Sequence, residues 1–110
     1  MAVATQVKVR ALARDVGTQM RLAELLGVNR AQVSRWSEGG GIDPLNAERV
    51  DVLELVFSSL LRIYEPEVAR AWLVGLNPLL GDRRPVDLIR GGHAEELLAA
   101  LRAERADSFA

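Results

Sequence analysis

The chain contains no cysteine, which excludes disulfide bridges, thiolate metal sites and a cysteine nucleophile. Its only histidine is His93, and a lone histidine without cysteine is a poor metal ligand. The serines lack a partnering base in the sequence pattern. Glu95 and Glu96 are adjacent, so on a helix they point in different directions and do not form an acid/base pair. We therefore expect neither an enzyme nor a bound cofactor or metal.

Long hydrophobic runs are also missing, so no membrane-spanning segment is predicted, and residues 1–10 lack the apolar core of a signal peptide. A cytoplasmic protein is the resulting expectation. The sequence shows no sustained alternation of apolar and polar residues and no hairpin turn between β-rich segments. The absence of strand signals predicts an all-α protein. With 49% apolar residues, a chain of 110 residues can bury a hydrophobic core.

The stretch from Thr18 to Gly39 has the pattern of a helix-turn-helix. An apolar-periodic run ends at Gly27, which permits the positive φ of a tight interhelical turn. Asn29 suits the N-cap of the next helix, and Gln32 completes a capping-box pattern. Small Ala23 allows the second helix to cross closely. Together these features favour a DNA-binding unit over a plain αα-hairpin with a solvated polar face.

Val33 and Trp36 lie one turn apart on the second helix of this unit and are expected to face inward. The opposite face is then the recognition surface, which meets base edges in the major groove. Glutamine suits adenine and arginine suits guanine, whereas other polar groups contact phosphates. The predicted DNA-binding residues are Arg30, Gln32, Ser34 and Arg35, with Arg21 on the preceding helix.

Charge is distributed unevenly along the chain, although the net charge is only −1. Residues 1–40 carry a net charge of +3, and residues 41–110 carry −4. The basic part coincides with the predicted recognition unit. Because +3 supports few phosphate contacts, a monomer would bind DNA weakly, and dimerisation would double the contacts.

The glycines at positions 39–41 form the best internal boundary. They divide the chain into a helix-turn-helix region, residues 1–40, and a second helical domain, residues 41–110. In the first region an additional helix is predicted over residues 4–16, with its inward face formed by Val7, Leu12 and Val16.

The longest predicted helix, residues 44–64, has two adjacent apolar stripes. One stripe ends at Tyr64, and the other includes Val52 and Ile63. So wide an apolar arc indicates burial on more than one side. Two interpretations stay open: a central helix within one subunit, or a helix that also packs on a second subunit. For the second, the predicted dimerisation residues are Leu53, Leu55, Val56 and Leu60.

Prolines and glycines punctuate the segment that follows. Pro66 fits the first turn of a helix that ends at Gly75, with Trp72 expected in the core. Asn77 and Asp87 suit the caps of short helices, and Gly81 permits a turn. A final helix is predicted over residues 94–105. Its apolar face contains Ala94, Leu97, Leu98, Leu101 and Arg105.

One combination of residues in this segment resembles a known family. It comprises Trp72-Leu73, Asn77-Pro78-x-Leu80-Gly81 and Pro85-x-Asp87-Leu88-Ile89, then a helix with paired leucines and a short tail ending in Phe-Ala. This is similar to the C-terminal domain of the Xre/MbcA/ParS antitoxins, which follows an Xre-like helix-turn-helix in that family. The resemblance covers nearly the whole chain. One departure is Ala106-Asp107-Ser108, where family members usually carry a glycine.

The resemblance implies an antitoxin that neutralises a RES-domain, NAD-degrading toxin by direct binding and represses its own operon. Residues 41–110 would then hold the toxin-binding and dimerisation surfaces. Phe109 is a large aromatic residue that follows Asp107 and Ser108 near the end of the sequence, so it is hard to bury within the chain's own core. This suggests that the tail docks on the toxin. The predicted toxin-binding residues are Leu101, Arg102, Arg105, Asp107, Ser108 and Phe109. The alternative is a stand-alone dimeric transcriptional regulator that binds operator DNA.

Overall fold

The computed structural model describes residues 4–108. Over this range it contains α-helices and one short 3-10 helix and no strand, so the all-α prediction is confirmed there. The α-helices are α1 (Thr5–Val16), α2 (Gln19–Leu26), α3 (Arg30–Ser37), α4 (Pro44–Leu60), α5 (Pro66–Val74), α6 (Pro85–Arg90) and α7 (Ala94–Ser108), and the 3-10 helix (Pro78–Leu80) lies between α5 and α6.

The chain divides into two compact units, Met1–Glu54 and Leu55–Ala110. The division falls within α4 and not at the glycine run of residues 39–41. Our predicted boundary separates two functions, DNA binding and partner binding. It stays a prediction, because compactness alone does not assign a function to either part.

In the first unit, α1, α2 and α3 pack against one another. The inward face of α1 differs from the prediction at one position. Val7 is 55% exposed, whereas Val9 is fully buried together with Leu12 and Val16. Val7 and Val9 are separated by about 200° around the helix, so they cannot share a face. The three residues at helical spacing determine which side is buried.

The α2–α3 connection has the predicted local structure. Thr18 Oγ1 accepts a hydrogen bond of 3.0 Å from the Arg21 amide, and Gly27 adopts a φ of 74°. Asn29 Oδ1 accepts from the Gln32 amide at 2.9 Å, and Gln32 Oε1 accepts from the Asn29 amide at 3.2 Å. The capping box is therefore closed. It satisfies the backbone amides of Asn29 and Gln32 at the start of α3.

In the second unit, α6 packs on α5 and α7, and the 3-10 helix packs on α7. The core-facing residues of α5 are Ala69 and Leu73, which are fully buried. Val68 and Val74 are exposed, and Trp72 is only half-buried. The sequence predicts Trp72 in the core, but the structure leaves its side chain half-buried. The indole therefore lies between the buried side of α5, which holds Ala69 and Leu73, and the exposed side.

The turn between α5 and α6 is built as the prolines and glycine predict. Asn77 Oδ1 accepts from the Leu79 amide at 2.9 Å, and Gly81 has a φ of 65°. Asp87 lies just inside the first turn of α6, which begins at Pro85, and it does not cap the helix. Arg84 occupies the cap position without a side-chain hydrogen bond. A carboxylate in the first turn still favours the helix dipole.

The two long helices have different ends from those predicted. α4 ends at Leu60, so Tyr64 lies in the turn beyond it, where its hydroxyl donates a hydrogen bond to the Glu104 carboxylate on α7. This bond is the main cause of the raised pKa of Tyr64. α7 continues to Ser108 and not to 105. Ala106-Asp107-Ser108 contains no glycine to stop it.

The start of α4 carries a cap that sequence reasoning missed. The Asp43 carboxylate accepts from the side-chain amide of Asn46 at 2.7 Å and from its backbone amide at 3.1 Å. These hydrogen bonds favour the charged carboxylate and hold the pKa of Asp43 below its usual value. An Asp three residues before an Asn, just ahead of Pro44, is the signal that could have predicted it.

Candidate functional site

The outer face of α3 presents the residues that the sequence assigned to DNA. Arg30 and Arg35 are exposed, and Gln32 and Ser34 are half-buried. Val33 is fully buried and Trp36 is 2% exposed, so both face inward as predicted. The helix therefore separates a core-facing side from a polar side. This is the geometry that a helix needs in order to lie in a groove and still be held by its fold.

Gln32 has a second role that limits its use as a base contact. Its Oε1 already accepts from the Asn29 amide, which fixes the orientation of the side-chain amide and leaves one Oε1 lone pair and the two Nε2 hydrogens for other partners. A bidentate contact to adenine needs both groups. With the capping box closed, Gln32 can make a bidentate contact only in the orientation that its bond to the Asn29 amide sets. Arg35 has no such commitment and is the stronger candidate for base recognition.

The far end of α3 is braced by two residues that the sequence analysis did not single out. Arg10 Nε on α1 donates to the Ser37 carbonyl at 2.7 Å. Gln19 Nε2 on α2 donates to Ser37 Oγ at 3.2 Å. Both bonds reach residues far apart in the sequence, so no local pattern could predict them. They fix the C-terminal end of α3 as the capping box fixes its start.

A second candidate surface lies on α7. Arg102, Asp107 and Ser108 are exposed, as a partner-binding role requires. Leu101 is only 4% exposed, so it belongs to the core of the second unit and not to a free surface. That placement corrects its assignment as a contact residue, because a buried leucine cannot meet a partner without leaving the core.

Arg105 is half-buried, and Phe109 lies outside the described residues. The Arg105 Nε is buried and makes no hydrogen bond within residues 4–108. A buried donor without an acceptor is costly. Arg105 is thus half-buried on α7, one turn after the exposed Arg102.

The predicted dimerisation residues are divided by the structure. Leu53, Val56 and Leu60 are fully buried within the single chain. They form core contacts and are not available to a second subunit, so their assignment is corrected. Leu55 is 48% exposed and is flanked by exposed Asp51 and Ser58. The second apolar stripe therefore presents one large apolar side chain to solvent.

Among residues 4–108 no group of three or more histidine, cysteine or acidic side chains is placed to hold a metal ion. In the same range no helix combines the length and hydrophobicity needed to cross a membrane.

No known family profile matches the chain. Curated relatives do. The mycobacterial cidal antitoxin MbcA of Mycobacterium tuberculosis is 29% identical over 87 residues, which cover 78% of this chain and 77% of the relative. MbcA of Mycobacterium bovis matches to the same extent.

The fold gives a second similarity. A chain in the crystal structure of the M. tuberculosis MbcT-MbcA toxin-antitoxin complex superposes with a TM-score of 0.76 at 26% identity. The match covers 93% of this chain and 94% of that one. Both units are thus included in the likeness. In sequence and in fold, the chain is similar to the antitoxin MbcA over most of its length.

Proposed function

We propose that this chain is the antitoxin of a toxin-antitoxin pair and that it neutralises a RES-domain, NAD-degrading toxin by binding it directly. The observation that carries the proposal is the likeness to MbcA, which spans 93% of the chain in the structural match. The exposed polar side of α7 supports it, since this side is not needed for the core of the second unit.

Co-expression tests this proposal. The gene next to the one encoding this chain is induced in a host cell, with and without this chain. We expect growth arrest and a fall in cellular NAD when the neighbouring protein is produced alone. We also expect rescue and a co-purified complex when both are present. If the neighbouring product is harmless, or is toxic and never binds this chain, the stand-alone transcriptional regulator becomes the better proposal.

The toxin contact is assigned to the solvent-facing side of α7 and the residues after it. Arg102 and Arg105 are placed to pair with acidic groups on the toxin, and Asp107, Ser108 and Phe109 extend the contact. We propose that this segment covers the mouth of the toxin's active site and blocks NAD entry. The exposure of Arg102, Asp107 and Ser108 supports the assignment.

We further propose that residues 1–40 act as a helix-turn-helix that binds operator DNA and represses the operon, which places the protein in the cytoplasm. The polar outer face of α3 supports this, together with the net charge of +3 on residues 1–40. Arg30 and Arg35 lie on that face, and Arg21 on α2 suits a phosphate contact.

Replacing Arg35 by Ala should weaken operator binding by about 1–3 kcal/mol, because a guanine contact is lost. The fold should be unchanged, since Arg35 is exposed. Affinity for operator and for scrambled DNA is measured by gel shift or fluorescence anisotropy. We expect a loss on the operator and little change on the scrambled sequence.

Arg21→Ala is the matched control, because it removes one charge from a phosphate-type position. It should weaken both DNAs alike and reduce the salt slope by about 1. Gln32→Ala is a poorer probe, since it also opens the capping box. Equal operator affinity for Arg35→Ala and the wild type would contradict the recognition-helix assignment.

A homodimer is also proposed. Of the residues predicted at its interface, Leu55 is the one whose side chain is exposed on α4 and can contact a second subunit. Leu55→Glu should shift the protein to a monomer in light scattering, because a charge would be buried at the interface. The control is Leu79→Glu, which alters a leucine of similar exposure on the 3-10 helix and should leave the dimer intact. A wild-type protein that is monomeric at micromolar concentration would overturn the dimer.

A further inference from the structure

The last part of α7 extends beyond the core of the second unit. Leu97, Ala100 and Leu101 are the buried residues of this helix, and all three precede position 102. Every residue from 102 to 108, over about two turns, is exposed or half-buried. Residues 102–108 are termed the outer segment. No apolar core holds this segment, although the accessible residues of the proposed toxin contact on α7 all belong to it.

A helix end of this kind needs another source of order. The last turn of a helix has carbonyl groups without intrahelical partners, and a short helical stretch is marginal in water unless it packs against its protein. Ser108 Oγ donates to the Glu104 carbonyl at 3.1 Å, but this bond lies within the outer segment itself. It cannot fix the segment relative to the rest of the second unit.

Tyr64 supplies a contact from outside the helix. It is half-buried in the turn after α4, and its hydroxyl donates to the Glu104 carboxylate, 40 positions away. The bond to Glu104 is the largest of the effects that raise the pKa of Tyr64, and a hydrogen bond with the Ser108 hydroxyl opposes it. Glu104 and Ser108 are one helical turn apart, so both can face the same phenol. Tyr64 therefore spans the last turn of α7.

The core fixes the position of Tyr64 in turn. Its backbone amide donates to the Leu60 carbonyl at 2.8 Å, and Leu60, the last residue of α4, is fully buried. Pro66 begins α5 two residues after Tyr64. The phenol is thus a short, well-held connection from the core to the outer segment.

We infer that Tyr64 is a positioning residue for toxin binding: through Glu104 and Ser108 it holds the outer segment in helical form before the toxin arrives. The inference rests on the proposed function, because it names the residue that prepares the proposed contact. Ordering a segment during binding costs affinity, so a segment that is already ordered binds more tightly. Tyr64 acts through its hydrogen bonds to α7 and needs no contact with the toxin.

Tyr64→Phe tests the inference, because it keeps the ring and removes the hydroxyl. With the purified product of the neighbouring gene, we expect the affinity of the full-length chain to fall by about 3- to 10-fold, the size of one net hydrogen bond. Amide hydrogen exchange of the free protein should become faster over residues 104–108 and stay unchanged at Leu97. The matched control is Ser59→Ala, which removes a half-buried hydroxyl bonded at 2.9 Å to the Leu55 carbonyl within α4. It should leave affinity and exchange unchanged.

Two further variants separate positioning from a general loss of structure. Glu104→Gln keeps an acceptor oxygen for the Tyr64 hydroxyl and should retain most of the affinity. In a Phe109→Ala chain, Tyr64→Phe should cost less than about 2-fold, because the largest contact that the alignment serves is already lost. A hydroxyl with a merely structural role would cost the same factor in both chains.

The inference is overturned if Tyr64→Phe binds the toxin as tightly as the wild type, or if it loses the same factor with and without Phe109. Either result would leave the proposed function standing. If Tyr64→Phe does not fold, Glu104→Ala removes the same hydrogen bond from the helix side and carries the same expectations. A wild-type chain that never binds the toxin overturns the proposed function and the inference with it. The two failures are therefore distinguishable.

Discussion

A chain that ends after Arg105 is expected to lose its protection against the toxin while keeping both folded units. The deletion removes the last turn of α7 and the tail, which carry Asp107, Ser108 and Phe109 of the proposed contact, and it leaves Arg102 and Arg105 in place. It retains Glu104, the acceptor of the Tyr64 hydroxyl, so the anchor of α7 stays intact. Growth rescue and the affinity for purified toxin are measured beside circular dichroism and DNA binding.

Phe109→Ala separates one side chain from the whole tail. If the ring is buried in the toxin, its loss should weaken binding by about 1.5–3 kcal/mol, or on the order of 10- to 100-fold. Glu95→Ala is the control, because it alters an exposed residue at the opposite end of α7 and should not affect affinity. A shortened chain that still binds the toxin as tightly as the wild type would show that the tail is not the inhibitory element.

Trp36→Ala should lower the free energy of unfolding by about 3–5 kcal/mol. The indole is 2% exposed and packs in the three-helix core of the first unit, so its removal leaves a large cavity. Domains of this size are typically stable by about 5–15 kcal/mol, so the loss is a substantial fraction of the total. Urea unfolding, followed by circular dichroism, measures it.

The adjacent residue supplies the control. Arg35→Ala should change the free energy of unfolding by no more than about 0.5 kcal/mol, because its side chain is exposed. Trp36→Ala should impair DNA binding through loss of fold, and Arg35→Ala through loss of a contact. A change below about 1 kcal/mol for Trp36→Ala would mean that α3 is not held through this residue.

The local structure of the α2–α3 unit was predictable because each feature depends on residues within one or two turns. Thr18 and Asn29 cap their helices through amides three residues ahead, and Gly27 takes the left-handed conformation that the turn needs. Short-range bonds of this kind are encoded in spacing alone. The start of α5 at Pro66 and the cap at Asn77 follow for the same reason.

Helix faces were harder to predict, since the buried side depends on what packs against it. Val7 and Val9 are chemically equivalent, and only the packing of α1 on α2 and α3 decides that Val9 is buried. The same holds on α4, where, of the four residues predicted at a dimer interface, Leu53, Val56 and Leu60 belong to the core and Leu55 faces solvent. A hydrophobic stripe shows that burial occurs but not against which surface.

By itself, the sequence determined the helical class, the capped turn between α2 and α3, and the polar outer side of α3, because each depends on neighbouring residues. Tertiary structure alone decided that Arg10 and Gln19 brace Ser37, that Tyr64 anchors Glu104, and that Leu101 is core. These contacts join residues 18 to 40 positions apart, or depend on which helix surfaces meet, and no periodicity in the chain records that choice.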